Sequence, residues 1–394
     1  MRSQILIEES AGITTAALIE DGRLAETLSA SRKKAQIEGN IYLGRVRNAV
    51  KGMDAAFVDV GLERTAIMSG DGLPRGNDGK RFAPNGGEAL VQVTKLATGD
   101  KGVAVSANIK LCGRYTVLLP MEKGIHISHR IEDPAEAERL RLAASTVKPK
   151  DMGLILRTNA QNVSKEEISC EIQRLVSEWE ELRNRVLHSV APALLLDKSD
   201  ICFRVIRDMM NENVSEVIVS SEALKERIDR NLALLMPKSD IKVKVLAPTA
   251  GLMSLYRVPS QIEEALKKRV WLKSGAFLVF DRTEALTVID VNSGKFTGGN
   301  DADGTARLVN LEAAYEIMRQ LRLRDIGGIV IVDFIDMKTE EGKTLLMEAM
   351  RTYAKEDSNR TKVVDFTALG LMELTRKRKH EELRTYFGSE KTDE

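Results

Sequence analysis

Two apolar runs that each end in an aspartate constrain the fold of this chain more than any other feature. They cover residues 286–290 and 327–333, and both are rich in Val and Ile. Such runs are typical of strands buried on both faces. The segment between them, from about residue 303 to residue 324, carries apolar residues at helical spacing. Strand, helix and strand in this order predict a parallel pair whose ends share one sheet edge.

The aspartates that end these strands, Asp290 and Asp333, would then lie together. At roughly 4–5 Å their repulsion is about 3–4 kcal/mol at an effective dielectric near 20, and a bound cation removes it. Carboxylates with open water positions suit Mg²⁺. Asn292 follows Asp290 by two residues, so it points to the same face and is placed to orient a ligand. The alternative is that each aspartate only caps a helix or forms a turn.

The composition is that of a globular protein with several domains. A chain of 394 residues is too long for one compact core, so we expect two to four domains. The 59 basic and 58 acidic residues leave a net charge of +1, so a nucleic-acid surface requires local clusters of Lys and Arg. Three widely spaced cysteines, Cys112, Cys170 and Cys202, indicate a reducing compartment. Because the chain shows no membrane-spanning apolar run and no signal-peptide pattern, we expect it in the cytoplasm.

Short strands at regular spacing follow one another between residues 41 and 106. Strands of this length with glycine turns predict a small barrel of the OB type. Such barrels bind single-stranded nucleic acid through aromatic and basic side chains. The candidates are Phe57, Tyr42, Lys101 and Arg45, with burial of Phe57 in the core as the alternative interpretation.

The remaining segments alternate between strand and helix patterns. Residues 4–19 form a hairpin pattern that is too short for a domain, so it should pair with a later strand. Residues 200–270 have an α/β pattern that could supply that partner. Asp133 and Ser164 have the spacing of helix N-caps. The basic run 376–380 is interpreted as a solvated helix face, with phosphate contact as the alternative.

Four segments closely resemble the ribonuclease E/G family of bacterial endoribonucleases. They are residues 287–294, 310–314, 319–328 and 332–337, and the likeness extends over nearly the whole chain. The resemblance implies an α/β multidomain fold. It divides the chain into an RNase H-like subdomain (1–35 and 200–275), an inserted S1 domain with an OB-fold barrel (36–118), a 5′-sensor region (119–199) and a DNase I-like catalytic subdomain (276–394).

The same resemblance implies an activity and a metal. Asp290 and Asp333 match the family's Mg²⁺-binding aspartates, and Asn292 matches the asparagine that supports them. The expected reaction is hydrolysis of single-stranded RNA to products with a 5′ phosphate and a 3′ hydroxyl. Mn²⁺ is the alternative ion.

Further residues match positions that bind RNA in the family. Arg157 and Thr158, together with Arg130, match residues that grip a terminal 5′ phosphate, which implies a preference for 5′-monophosphorylated substrates. The positions matched to RNA contacts are Phe57, Lys101 and Arg360.

The chain also departs from the family pattern. Ile67 stands where the family often has a second aromatic residue. His129, just before Arg130, stands where an arginine can adjoin the family's 5′ sensor. The family's Cys-Pro-x-Cys zinc link is absent, because no cysteine follows Cys202. We therefore expect no zinc site, so a homodimer would need other contacts. No obligatory membrane association is expected.

Other functions remain open at this stage. A catalytically idle RNA-binding scaffold and a DNA nuclease would share much of the same sequence. A nucleotide hydrolase is disfavoured because the chain lacks the G-x-x-x-x-G-K-[ST] loop, and its four histidines show no zinc-hydrolase spacing.

Overall fold

The computed structural model describes residues 3–31, 37–50, 54–74, 83–97, 102–294, 302–378 and 383–384. Within these ranges the backbone forms four β-sheets accompanied by helices. The mixed α/β architecture predicted from the sequence is confirmed, as is its small barrel. None of the helices in the described ranges is both long and apolar enough to cross a membrane.

The elements follow one another along the whole described chain. The strands are β1 (Ser3–Ser10), β2 (Ile13–Glu20), β3 (Arg23–Ser31), β4 (Ile41–Val50), β5 (Ala55–Asp59), β6 (Ala66–Ser69), β7 (Glu88–Lys95), β8 (Ala104–Ser106), β9 (Leu111–Cys112), β10 (Thr116–Leu119), β11 (Gly124–Ile127), β12 (Gly153–Leu156), β13 (Ala193–Leu196), β14 (Val214–Val219), β15 (Lys242–Val245), β16 (Arg269–Trp271), β17 (Phe277–Arg282), β18 (Leu286–Asn292), β19 (Gly328–Asp333), β20 (Thr361–Phe366) and β21 (Met372–Arg376). The helices are α1 (Pro134–Ser145), α2 (Lys165–Leu187), α3 (Ile201–Arg204), α4 (Glu222–Leu235), α5 (Leu252–Leu255), α6 (Val258–Leu266), α7 (Ala302–Arg324) and α8 (Glu340–Glu356).

The five-stranded sheet has the order β15-β14-β1-β2-β3. It therefore combines the three N-terminal strands with two strands that come much later in the chain. Strand β1 runs parallel to β14, with Ile5 opposite Val217, so the N-terminal hairpin does pair with a later strand. Both faces of this sheet are covered. Ile5 and Ile7 pack in one apolar cluster and Leu6 packs in another, as successive side chains of a strand point to opposite faces.

The barrel consists of β4-β5-β6-β8-β7 and closes where β7 pairs with β4, while β13 adds to β4 from outside. Its interior is filled by aliphatic side chains such as Val46, Val58 and Val91. Gly44 permits the tight packing, because a Cβ there would lie 2.5 Å from a methyl carbon of Val58. A closed barrel removes the sheet edges that would otherwise pair with other chains.

The four-stranded sheet, in the order β11-β12-β10-β9, packs against α2. The predicted caps are present: the side chain of Asp133 accepts from the backbone N–H of Ala135 at the start of α1, and that of Ser164 accepts from Glu167 at the start of α2. The apolar stripe of α2, which includes Trp179, is buried against the sheet.

The six-stranded sheet has the order β16-β17-β18-β19-β21-β20, and α7 connects the parallel strands β18 and β19. Side chains such as Ile289 and Val332 pack with α7 and α8 in one apolar cluster on one face. On the other face Trp271, Asp290 and Asp333 are exposed. The apolar spacing in residues 303–324 predicts a buried stripe on α7 that includes Leu308. Leu308 is exposed instead, and neighbours such as Val309 are buried.

Helix α7 also joins this sheet to the five-stranded sheet. The Arg322 guanidinium forms a buried ion pair with Glu20, with one N–O distance of 3.0 Å, and Arg319 donates to the carbonyl oxygen of Leu24. A buried charge that keeps its partner avoids a large desolvation penalty, so these contacts favour one relative position of the two sheets.

The interpretation of residues 376–380 as a solvated helix face is wrong for its first residue. Arg376 ends β21 and is only 4% exposed. Its guanidinium binds the carboxylates of Asp325 and Asp357 at 2.7 and 2.8 Å. Burial with two acidic partners makes Arg376 a structural residue, and residues 379–380 lie outside the described part of the chain.

Candidate active site

Asp290 and Asp333 lie directly opposite each other at the ends of the parallel strands β18 and β19. Both are exposed, whereas Ile289, Val291 and Val332 beside them are buried in the core. Strand alternation explains this placement, because the aliphatic neighbours point towards α7 and α8 and the aspartates point to the open face. The predicted convergence of the two carboxylates is confirmed.

The electrostatics of the pair favour a cation. Partial burial raises the pKa of Asp333, and the negative charges of Asp290 and Asp336 raise it further. Asp336 was not among the predicted site residues, although it lies only three positions beyond Asp333. Three neighbouring carboxylates repel one another, and a divalent ion would relieve that repulsion.

Asn292 lies where the sequence placed it. Its side-chain amide donates to one carboxylate oxygen of Asp290 across 2.6 Å. The contact sets the orientation of Asp290 while engaging only one of its two oxygens. An asparagine that orients an acidic ligand in this way supports metal binding without binding the ion itself.

The donor set fits Mg²⁺ or Mn²⁺. Among the described residues, no cluster of three or more His, Cys, Asp and Glu side chains is arranged to hold a metal ion. Mg²⁺ needs no such cluster, because it is usually bound by one or two carboxylates, several waters and substrate phosphates. Two exposed, opposed aspartates provide that arrangement.

The segment after β19 is held by α7. The buried side chain of Asn310 donates to the carbonyl oxygen of Ile335 across 2.8 Å and accepts from the N–H of Ile335 at 3.0 Å. Asp303 accepts from the backbone N–H of Lys338 at 2.8 Å. Sequence reasoning did not single out these two residues, although a polar residue within the apolar stretch around position 310 was a usable signal.

The segment after β18 is fixed by close packing. Gly294 has a φ of +59°, and a Cβ there would lie 2.6 Å from the carbonyl oxygen of Gly275 in the β16–β17 turn. Glu312 of α7 accepts from the backbone N–H of Lys273 in that turn at 2.7 Å. The turn and the end of β18 therefore lie in direct contact beside the aspartates.

Arg157 and Thr158 lie in the turn that immediately follows β12. One guanidinium nitrogen of Arg157 donates to the carbonyl oxygen of Gly113 at 2.7 Å, and another lies 3.0 Å from a carboxylate oxygen of Asp208. The hydroxyls of Thr158 and Ser128 are 3.0 Å apart. Sequence reasoning missed Asp208, which lies 51 positions from Arg157 in the chain and also binds the neighbouring Arg207.

Arg130 makes a contact that the sequence did not predict. Its guanidinium donates to the backbone carbonyl oxygens of Lys355 and Asp357, at 2.7 Å for the latter. Burial lowers the pKa of Arg130, although the charge of Asp357 acts in the opposite direction. The side chain thereby connects the region of the four-stranded sheet to the end of α8.

On the barrel, Phe57 is 38% exposed and lies opposite Ile67 of the neighbouring strand. The alternative that Phe57 belongs to the core is therefore wrong. Of the other barrel candidates, Tyr42 is buried in the barrel core, so it does not face RNA. Arg45 forms a partly exposed ion pair with Glu88. Lys101 lies outside the described residues.

Arg360 lies in the turn between α8 and β20, and its side chain is exposed. Its carbonyl oxygen accepts from the backbone N–H of Lys377 at 2.9 Å. The backbone at this position is therefore tied to the end of the six-stranded sheet.

The sequence profile of the Ribonuclease E/G family matches residues 110–379. This chain belongs to the ribonuclease E/G family. The ribonuclease E of Synechocystis sp. is 37% identical over 366 residues, which cover 90% of this chain and 54% of that protein. The ribonuclease G of Escherichia coli (strain K12) is 33% identical over 397 residues, covering 97% of this chain and 81% of that protein.

The coverage differs between the two kinds of relative. The chain spans about half the length of the ribonuclease E proteins of Synechocystis and Nostoc, 54% and 57% respectively. Against the ribonuclease G proteins of Salmonella typhimurium and Escherichia coli it spans 81%. The likeness to ribonuclease E/G proteins thus includes all four sheets of this chain.

Proposed function

We propose that this chain is a Mg²⁺-dependent endoribonuclease that cleaves single-stranded RNA in RNA processing and decay. The observation that carries the proposal is the pair Asp290 and Asp333, opposed on parallel strands at the open face of a sheet. The hydrogen bond from Asn292 to Asp290 supports it, since it orients one acidic ligand. Membership of the ribonuclease E/G family supplies the substrate class.

Asp290 and Asp333 would hold the ion through their carboxylate oxygens, and Asn292 would keep Asp290 in place. Bound Mg²⁺ supplies a more acidic water and neutralises charge on the scissile phosphate. The reaction breaks the bond from phosphorus to the 3′ oxygen, so the products carry a 5′ phosphate and a 3′ hydroxyl. No side chain has to act as a covalent nucleophile.

RNA contacts outside the aspartate pair would select for single strands. Phe57 is an exposed aromatic ring on the barrel, and bases of a single strand can stack on such a ring. Bases held in a duplex cannot reach it. Arg360 and Lys101 would add contacts to the phosphates.

A preference for 5′-monophosphorylated RNA would come from Arg157 and Thr158. The Arg157 guanidinium is held by Gly113 and Asp208, and its remaining N–H groups can bind a terminal phosphate in fork geometry. Asp208 holds Arg157 and Arg207 together, so two guanidinium groups share one carboxylate and an excess positive charge remains to attract a terminal phosphate. A 5′ hydroxyl lacks the negative charge of a phosphate.

The subdomain assignments belong to the same proposal. The pairing of β1 with β14 supports one RNase H-like subdomain built from residues 1–35 and 200–275. The six-stranded sheet with α7 and α8 supports a DNase I-like catalytic subdomain over residues 276–394, extended at its start by the edge strand β16, which precedes the expected boundary.

The decisive experiment compares matched A/U-rich RNA and DNA oligomers with and without Mg²⁺. We expect cleavage of RNA alone, loss of cleavage in EDTA, and loss of cleavage in Asp290→Asn with RNA binding retained. Cleavage of DNA at the same rate would reassign the protein as a general nuclease. RNA binding without Mg²⁺-dependent cleavage would indicate an idle scaffold.

The sensor is tested with 5′-monophosphate and 5′-hydroxyl forms of one RNA. Arg157→Ala should slow cleavage of the monophosphate form by roughly 10- to 100-fold, the value of a charge-assisted hydrogen bond. The 5′-hydroxyl substrate should be cleaved at nearly the wild-type rate. Arg183→Ala, which removes an exposed arginine of α2 that pairs with Glu180 of the same helix, is the matched control. An equal loss on both substrates would reject the sensor.

A further inference from the structure

An exposed tryptophan lies at the edge of the six-stranded sheet. Trp271, on β16, is 60% exposed and packs against Phe277 of β17, with ring centroids 5.1 Å apart. The guanidinium of Arg269 lies 4.4 Å from the centroid of Phe277 and 5.8 Å from that of Trp271. Two aromatic rings and a cation thus form one group, which we name the edge cluster.

The strand register connects the edge cluster to the candidate active site. Trp271 is paired with Phe277, and Phe277 is paired with Asn292. Paired residues of adjacent strands project to the same face of a sheet. Because strands are spaced by about 4.8 Å, the backbone of Trp271 lies roughly 10 Å from that of Asn292.

A second row of the sheet leads to the aspartates themselves. Arg269 is paired with Val279, Val279 with Asp290, and Asp290 with Asp333. The edge cluster and the carboxylates therefore occupy one open face, at the end where β18 terminates. A phosphodiester held at the aspartates would have its neighbouring nucleotide within reach of this cluster.

The cluster is held in place before any ligand binds. Glu312 anchors the β16–β17 turn through the backbone N–H of Lys273, and Gly275 of the turn contacts Gly294 at the end of β18. A fixed turn keeps Trp271 in a constant position relative to Asn292. A preorganised aromatic ring costs little conformational entropy when a ligand binds.

Packing does not account for the exposure of this ring. Trp179 of α2, the other tryptophan of the chain, is 7% exposed and packs in the core. Trp271 instead leaves most of its surface open while Arg269 places a positive charge beside it. An open aromatic face next to a guanidinium suits a nucleobase attached to a phosphate, because the ring stacks on the base and the cation attracts the phosphate.

We propose that the edge cluster is a stacking platform for a nucleobase of the RNA next to the scissile phosphate, with Trp271 as the contacting ring. The proposal rests on the proposed function, because the ligand is the same RNA strand. Stacking accepts any base, so the platform would position the backbone at the aspartates and would not select a sequence.

Tryptophan emission provides a direct test. A 5′-monophosphorylated single-stranded RNA oligomer is titrated in EDTA, where no cleavage is expected, into the wild-type chain and into Trp271→Phe. We expect saturable quenching of wild-type emission and the loss of that quenching in Trp271→Phe. RNA that binds with no difference between the two proteins would overturn the platform.

Affinity provides the second measurement. Trp271→Ala should weaken binding of the oligomer by roughly 5- to 150-fold, the range for one stacked base. Trp271→Phe, which keeps a ring, and Leu234→Ala, which trims an exposed apolar side chain on α4, should stay within about twofold. An abasic position at the contacted nucleotide should weaken wild-type binding and leave Trp271→Ala unaffected.

The outcomes separate this proposal from the proposed function. If the wild-type chain cleaves no RNA, the nuclease assignment fails, yet quenching and affinity in EDTA still decide the platform. Unchanged RNA affinity in Trp271→Ala overturns the platform even when cleavage is normal. A changed sedimentation coefficient in Trp271→Ala with unchanged RNA affinity also overturns it, since the face would then contact a second copy of the chain.

Discussion

The five-stranded and six-stranded sheets both place a carboxylate at the end of a parallel strand pair, but they use it differently. Near the end of β1, the carboxylate of Glu8 accepts from the backbone N–H groups of Leu252 and Met253 at 2.8 and 3.2 Å, at the start of α5. At the end of β18, Asp290 is exposed beside Asp333. Glu8 thus accepts hydrogen bonds from backbone N–H groups, whereas Asp290 and Asp333 repel each other on an open face.

The difference follows from what covers each sheet. Both faces of the five-stranded sheet lie under apolar clusters, and a helix start meets Glu8. The six-stranded sheet is covered on the face towards α7 and α8, whereas Asp290 and Asp333 lie on the face where Trp271 is also exposed. An acid at a strand end therefore becomes a cap where a helix arrives and remains available for a cation where none does.

The largest expected effect comes from replacing an acid of the exposed pair. Asp333→Asn should lower cleavage by about three orders of magnitude, because metal-ion catalysis contributes several kcal/mol and each 1.36 kcal/mol is a factor of ten. Its thermal midpoint should stay close to that of the wild type. Steady-state cleavage and thermal denaturation measure the two effects.

Glu8→Ala is the matched variant in the other sheet. It should lose about 1–2 kcal/mol of folding free energy, as for other lost helix caps, while kcat stays near the wild-type value. Loss of cleavage in Glu8→Ala at full folding, or loss of folding in Asp333→Asn, would remove the contrast between the two sheets.

A smaller effect is expected from the residue that orients Asp290. Asn292→Ala should reduce kcat/KM by about 10- to 100-fold, the usual consequence of losing a group that orients a metal ligand. Higher Mg²⁺ should restore part of the rate, since the ligands themselves remain. A rate that is normal at every Mg²⁺ concentration would show that the hydrogen bond from Asn292 is not needed.

The smallest effect concerns stability against pH. The pKa of Asp333 is raised in the folded chain by burial and by Asp290 and Asp336, so its ionisation disfavours the folded state. That penalty is absent below the unfolded pKa near 3.8 and grows as pH rises through the folded pKa. In EDTA, Asp333→Asn should thus be slightly more stable than the wild type at neutral pH.

This gain should stay below about 1 kcal/mol, because solvent screens exposed carboxylates. It should shrink as the pH falls towards 3.8, which urea unfolding at several pH values can measure. A gain that persists at acidic pH would mean that the substitution acts through packing and not through charge.

Several features could be predicted because they depend on short stretches of sequence. The caps Asp133 and Ser164, the barrel strands, and the aspartates near the ends of β18 and β19 all follow from local pattern. Burial could not be predicted in the same way. Tyr42 was expected to face RNA but lies in the barrel core, where its ring fills space between strands.

Charge pairing over long sequence distances was also missed. Arg376, expected at the surface, is buried between Asp325 and Asp357, and Arg157 is held by Asp208. Such partners are distant in the chain and are brought together only by packing. Their identity cannot be read from a window of neighbouring residues.

The sequence by itself determined that two strands would carry Asp290 and Asp333 to one edge, because period-two alternation and a strand–helix–strand order leave little other choice. Only the tertiary structure decided which face of the six-stranded sheet stays open and that the edge cluster of Trp271, Phe277 and Arg269 lies on it. It also decided that Glu8 binds the backbone N–H groups at the start of α5. The physical reason is that exposure of a face depends on which distant elements pack against it.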